Sequence, residues 1–300
     1  MSKILVVGSN GFSGSAIVKR LLAEKTKYEV FGCSLNPNIH SFENFRFIQT
    51  DIRQTEQLKA LFELVAPDVV INSSALSVPD YCETHRAEAY ETNVTAVRNL
   101  AVMCEQHESR LIHLSTDFVF DGNQQALYQE NDIPFPVNYY GMTKLQGEQM
   151  IASHCSDWAV ARVAVVYGPI LQGQHGNILH LTSQRLKTGV QLKAVNDQYR
   201  TPTWVGDVAQ GVELLISHPN NGIYHICGKD HCSIAEIAFK VADHLQLNRA
   251  LIAPCTTEEM HEQTPRPKQS GMSCQKAMNE LGYKPLSLEE GIRKMFEQYI

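Results

Sequence analysis

The sequence predicts a doubly wound, parallel α/β sheet with a smaller α+β cap in its C-terminal part, and three observations predict it. Short, wholly apolar runs alternate with helical patterns through the first half of the chain. A glycine-rich turn joins the first apolar run to the first helical pattern. That rhythm breaks at Gly168-Pro169. Strands that are apolar on both faces and separated by helices belong to a parallel sheet covered on both sides.

The elements follow in order. Residues 4–7 form a continuous apolar run, and Ile17, Val18, Leu21 and Leu22 then recur at helical spacing. Residues 28–32 and 45–49 are rich in β-formers. Leu58, Leu61, Phe62 and Val65 mark an amphipathic helix that Pro67 ends. Further strands are expected at 69–71, 111–114 and 159–166, with helical stretches near 84–107 and 140–154. Beyond 169, a polar loop at 172–177 leads to a helix. Ser233-Ile234-Ala235-Glu236 and Ser287-Leu288-Glu289-Glu290 read as capping boxes, each opening a helix. Residues 256–273, with Pro265 and Pro267, show little periodicity. The sheet domain is therefore expected at 1–169 with 204–228 returning to it, and the cap at 170–203 and 229–300.

Composition narrows the function. A net charge of -6 and a pI near 6.1 give no electrostatic reason to expect nucleic acid or an anionic membrane as partner. No apolar run approaches the roughly 20 residues that span a bilayer. Residues 1–8 run straight into a strand without the features of a signal peptide, which makes the cytoplasm the expected compartment. The eight cysteines are spread over the whole chain. Cys227 and Cys232 lack a second pair at zinc-ligand spacing, so buried reduced thiols are expected and no metal site. Asn93-Val94-Thr95 matches a glycosylation sequon that a cytoplasmic protein does not use. His113 reads as a satisfied strand histidine, and Trp158 and Trp204 as core residues.

Gly8-Ser9-Asn10-Gly11-Phe12-Ser13-Gly14 lies between the first strand and the first helix. Glycines there let backbone approach a pyrophosphate, and the helix N-terminus offers it unpaired N–H groups. This is a Rossmann-type signal, with GxxGxxG spacing. The second strand ends at Ser34-Leu35-Asn36 with no acid before Glu43. Nothing there repels a 2′-phosphate, and Ser34 offers it a hydroxyl, although no Arg or Lys lies between Lys27 and Arg46. The balance favours NADP over NAD.

Tyr140 and Lys144 stand one helical turn apart on one face. A buried cation beside a phenol favours the phenolate, so Lys144 is expected to lower the Tyr140 pKa for proton exchange with a carbonyl. Ser115-Thr116-Asp117-Phe118 follows an apolar strand, where sheet-end residues line a ligand crevice.

Together these motifs resemble an extended short-chain dehydrogenase/reductase over the whole chain, and within that superfamily the dTDP-4-dehydrorhamnose reductases and their relatives. The resemblance rests on Ser115-Thr116-Asp117-Phe118-Val119-Phe120-Asp121-Gly122, on Tyr140 with Lys144, and on Arg162 through Val166-Tyr167-Gly168-Pro169. Asp197 through Thr203 and Arg266-Pro267-Lys268-Gln269-Ser270 extend it into the cap. It implies NAD(P)H-dependent reduction of a 4-keto nucleotide sugar. Tyr140 is then the proton donor, Lys144 the ribose-holding amine and Thr116 the triad hydroxyl.

The resemblance further implies that Gly8, Asn10, Gly11, Phe12 and Gly14 cradle the cofactor pyrophosphate, and that Asp51 and Ile52 flank adenine. Asn72, Ser73, Ala75 and Ser115 line the strand ends beside the cofactor. Ser77, Asp80, Asp117, Phe118, Arg200, Thr203 and Arg266 are expected at the substrate. Asp80 and Glu83 match the family pattern, whereas Pro79 and Tyr81 depart from it, and Arg200 stands where a Gly is usual. That Arg either binds a substrate diphosphate, fills the pocket and so changes the ligand, or pairs with Asp197 at the surface. Two other readings stay open: a regulatory subunit like the β subunit of methionine adenosyltransferase, and a nucleotide-sugar epimerase. Phe118, where dehydratases have Glu, counts against dehydration. A homodimer is compatible with all of these readings.

Overall fold

The computed structural model describes residues 1–171, 173–174 and 176–297, so Gln172 and His175 of the expected loop lie outside the described residues. The chain begins with β1 (Ser2–Val7), α1 (Phe12–Ala23), β2 (Tyr28–Ser34), β3 (Arg46–Gln49), α2 (Thr55–Val65) and β4 (Val69–Asn72). Two short helices follow, α3 (Pro79–Thr84) and α4 (Arg86–Tyr90), then a π-turn (Glu91–Thr95) and α5 (Ala96–Gln106). The predicted helix near 84–107 is therefore broken into pieces and begins earlier, at Pro79. Next come β5 (Arg110–Thr116), α6 (Tyr139–His154) and β6 (Trp158–Val163).

The cap interleaves with the sheet. It brings β7 (Val166–Tyr167), α7 (Ile178–Lys187), β8 (Leu192–Val195), β9 (Tyr199–Arg200) and β10 (Thr203–Trp204). After α8 (Val205–Ile216) and β11 (Gly222–His225) come β12 (Cys232–Ser233), α9 (Ile234–His244) and β13 (Ile252–Cys255). Three helices close the chain, α10 (Thr257–Met260), α11 (Gln275–Leu281) and α12 (Leu288–Glu297).

Seven strands form one sheet in the order β11-β6-β5-β4-β1-β2-β3, and every pairing in it is parallel. The order reverses between β1 and β4, and a parallel sheet opens a crevice at the carboxyl ends of such strands. β1 shows why both faces are covered. Ile4 and Val6 pack with Ile17, Val18 and Leu21 of α1 and Val208, Val212 and Leu215 of α8. Leu5 and Val7 face the other way, onto Leu58, Leu61 and Phe62 of α2 and Val97 and Leu100 of α5. Each such side chain contributes about 1.5–3 kcal/mol of burial.

α8 packs on α1 and β11 extends the sheet beside β6, so the chain returns to the sheet after a first excursion. The cap core joins Leu179 of α7, Ile237 and Val241 of α9 and Ile292 of α12. Ser233 and Glu236 bond reciprocally at the start of α9, and Ser287 and Glu290 do so before α12. A third capping box, Thr256 with Glu259, opens α10 within the stretch that sequence periodicity leaves blank. All eight cysteines are free and buried. No described helix is long and apolar enough to cross a membrane.

Candidate active site

The glycine turn is built as a cradle. Gly8 has φ +78°, a conformation that disfavours side chains, and a Cβ there would meet Ser74 N at 2.7 Å. Gly11 donates its N–H to Gly8 O at 2.8 Å. A Cβ on Gly14 would sit 2.2 Å from that same oxygen. Gly14 therefore packs beneath the turn, while Asn10, Gly11 and Phe12 line a cleft of about 610 Å³. α1 begins at Phe12 with no side chain capping it, leaving its first N–H groups to face a ligand.

Across that cleft stand Thr116 at the end of β5 and Tyr140 and Lys144 on α6. Asn138 fixes the start of α6 by accepting the Gly141 N–H at 2.9 Å. The Gly141 backbone lies so close to Phe118 O that a Cβ would come within 2.1 Å of it, which presses the helix onto the strand end. Phe118 meets the Tyr140 ring edge-on, 5.7 Å between centroids.

The electrostatics differ from the expected phenolate. Burial pushes the Tyr140 phenol well above its ordinary value; Thr116 opposes this through its hydroxyl, and the Asp117 carboxylate and Cys82 add to it. The Lys144 amine is bonded to Leu114 O at 2.7 Å and His113 Nε2 at 3.0 Å, with no hydrogen bond to Tyr140. Burial lowers Lys144 to about 8, against the pull of Glu148. Lys144 thus does not acidify the phenol here, and Tyr140 keeps its proton at neutral pH.

The cleft also gathers Ser73, Ala75, Ser77, Ser115, Asp117, Phe118 and Arg266. Gly8, Ser34, Asp51, Ile52 and Ala75 line an adjoining pocket of about 200 Å³. Arg53, which sequence reasoning missed, lines it too and grips Asp51 through Nη2 at 2.8 Å. Its position directly after Asp51-Ile52 was the available signal. The cleft fits a dinucleotide on these grounds and on two others: Asn10 Oδ1 and Ser115 Oγ are buried without a partner.

Four residues expected at the cofactor or substrate are not among those that line the cleft or the adjoining pocket. Arg200 is 2% exposed and pairs with Asp117 at 3.3 Å, while Asp197 pairs with Lys268 instead. It neither lines the cleft nor lies at the surface, because Asp117 draws it inward. Thr203 is fully buried, donating to Ala164 O and accepting from Gly228 N, which spends its hydroxyl on packing. Asn72 is fully buried behind the strand end, bonded to Ser74 and His113. Asp80 pairs through Oδ2 with Arg266, 3.1 Å away, and its neighbour Pro79 lines the cleft in its place.

Asn93 is a second residue that sequence reading missed. Its amide bonds both the N–H and the C=O of Leu76 at 3.0 Å and also reaches Thr143, tying the loop after β4 to α6. The π-turn that carries it is a feature frequent at functional sites. The sequon residue is thus a buried tether.

A parallel Rossmann sheet with Thr116, Tyr140 and Lys144 around a glycine-lined cleft defines an extended short-chain dehydrogenase/reductase. Residues 2–300 match the family described as RmlD substrate binding domain, and the chain belongs to it. It is 30% identical over 300 residues to the spore coat polysaccharide biosynthesis protein SpsK of Bacillus subtilis, covering 99% of this chain and 98% of that protein. It is 32% identical to the β subunit of methionine adenosyltransferase 2 of Xenopus laevis, covering 91% and 81%. Among solved structures, dTDP-4-dehydrorhamnose reductase from Bacillus anthracis in complex with NADP superposes with a TM-score of 0.88 at 26% identity, covering 99% of each chain.

Proposed function

We propose that the protein is an NADP-dependent reductase of a 4-keto nucleotide sugar, with Tyr140 as proton donor. The observation that carries this reading is that Thr116, Tyr140 and Lys144 share one cleft with the glycine turn. Asn10, Gly11 and Phe12 hold the pyrophosphate, Ser34 and Arg53 the adenosine end, and Ser115 and Lys144 the nicotinamide ribose. Arg53 lines the adjoining pocket, and a cation there supports NADP over NAD. When bound, the reduced nicotinamide supplies hydride to the keto carbon.

The chain's own residues supply the proton. A ketone that gains hydride develops charge on oxygen, and a phenol that has kept its proton is the right donor. The buried Tyr140 is in that form. The Thr116 hydroxyl orients the same oxygen. Phe118 and the apolar wall around Tyr140 keep water from the reacting carbonyl. Arg266 lines the cleft with its Nε buried and unpartnered, which supports a role for it at the substrate diphosphate. Asp80 and Glu262 hold that guanidinium in place.

The test is a panel of keto nucleotide sugars followed at the NADPH absorbance band, with 4-keto-6-deoxy sugars expected to be consumed. The relationship to methionine adenosyltransferase β subunits supports a second reading, a cofactor-binding regulatory subunit. Tight NADPH binding and capture of a catalytic partner, with every member of the panel left untouched, decides for it.

A further inference from the structure

Lys144 lies against a ring nitrogen whose hydrogen is dictated from the far side. His113 Nε2 is 3.0 Å from Lys144 Nζ, and His113 Nδ1 is 3.1 Å from Asn72 Nδ2. The Asn72 amide cannot turn over, because its Oδ1 accepts the Ser74 backbone N–H at 3.1 Å and the Ser74 hydroxyl at 2.7 Å. The amide therefore presents its NH₂ end to His113, and an NH₂ end only donates. Nδ1 must be the acceptor, and a neutral ring then carries its hydrogen on Nε2, pointing at Lys144. An ammonium has no lone pair to receive that hydrogen, whereas an amine does.

We propose that Asn72 fixes His113 in its Nε2–H tautomer, and that His113 thereby biases Lys144 toward the uncharged amine in the cofactor-free protein. The amine accepts from His113, donates to Leu114 O and keeps one N–H for the cleft. The contacts that join Asn72, His113 and Lys144 are then each a donor facing an acceptor, as low-dielectric interiors require. Both groups are fully buried, which disfavours charge on either: His113 is held well below its ordinary value, and Lys144 is lowered as well.

The charges around the pair do not undo this. Glu148, one turn along α6, favours the ammonium, but its carboxylate is taken by Arg162 of β6 at 3.0 and 2.6 Å. Asp117 after β5 is paired with Arg200, and Glu83 of α3 with Arg86. Tyr140 on α6 and Cys82 on α3 are both held neutral by burial. Resting on the reductase reading, the relay has a purpose: an uncharged Lys144 leaves the Tyr140 phenol protonated, the form that an acid needs. Asn72 and His113 are positioning residues for that lysine.

The experiment needs neither cofactor nor turnover, so its failure is distinct from failure of the reductase reading. The full chain, labelled with ¹⁵N-histidine and ¹³Cε-lysine, is observed by NMR at pH 8.5 without ligand, with His113→Phe and Lys144→Met assigning the signals. Expected are a bare Nδ1, a protonated Nε2 and the Lys144 ε-carbon at its neutral-amine position. Asn72→Asp, which sets a carboxylate oxygen opposite Nδ1, is expected to move the hydrogen to Nδ1 and turn Lys144 into an ammonium. An Nδ1–H ring, an imidazolium, or an ammonium at Lys144 in the wild-type protein overturns the proposal. The wild-type spectrum decides alone should Asn72→Asp fail to fold.

Discussion

The guanidinium of Arg200 and the carboxylate of Asp117 meet 3.3 Å apart in the protein interior, joining a cap strand to the turn that follows Thr116. Ser270 Oγ donates to the same carboxylate at 2.5 Å, and the Arg200 cation lies 5.6 Å from the Phe118 ring centroid. Arg200 thus braces both residues after Thr116.

Breaking this pair strands a buried charge. Arg200→Met is expected to cost about 3–5 kcal/mol, the scale for removing one partner of a buried ion pair. Adding Asp117→Asn should recover much of that loss, because the stranded carboxylate is gone. Urea denaturation of the two single variants and the double variant measures the coupling; purely additive losses would show that the pair acts as two unrelated residues.

The glycine cradle predicts a loss of cofactor binding. Gly14→Ala places a methyl 2.2 Å from Gly8 O and 2.7 Å from Ser73 Oγ, so the turn must open. NADPH affinity should fall by about tenfold or more, roughly 1.4 kcal/mol. Fluorescence titration reads the change. An unaltered dissociation constant would remove the turn from the binding site.

Asp207 gives the fold a pH signature. Burial raises its carboxyl to about 6, against the Leu286 N–H it accepts at 2.8 Å. A folded-state value above the unfolded one means the native protein binds the proton more tightly. The stability this contributes is present below the ordinary value of 3.8 and is lost as pH rises to about 6. Asp207→Asn should therefore be more stable than wild type at pH 8, by about 1 kcal/mol, and gain little at pH 4. Equal gains at both pH values would contradict the assignment.

How much of this was legible in the sequence follows from the range of each interaction. Continuous apolar runs such as residues 4–7 announce a doubly covered strand, because two faces must be buried at once. The glycine turn and the Tyr140–Lys144 spacing are local and were legible for the same reason. Arg200 was not, since its partner Asp117 lies 83 positions away and only folding brings the two together. Asn72 sits next to cleft-lining Ser73, yet β4 turns its side chain inward onto His113, a strand pairing that periodicity does not reveal. The phenolate expectation failed because helical spacing places Lys144 near Tyr140 but says nothing of what else the amine bonds. Burial, which the sequence does not state, dominates both groups.

Tyr140 is proposed to deliver the proton to the reduced carbonyl. Single-turnover oxidation of NADPH by the pre-formed complex with a 4-keto-6-deoxy nucleotide sugar measures that step directly in wild type and Tyr140→Phe. The rate is expected to be lower by roughly 100-fold or more in the variant, with NADPH affinity retained, the scale of lost general-acid catalysis. Equal single-turnover rates for the two proteins would contradict it.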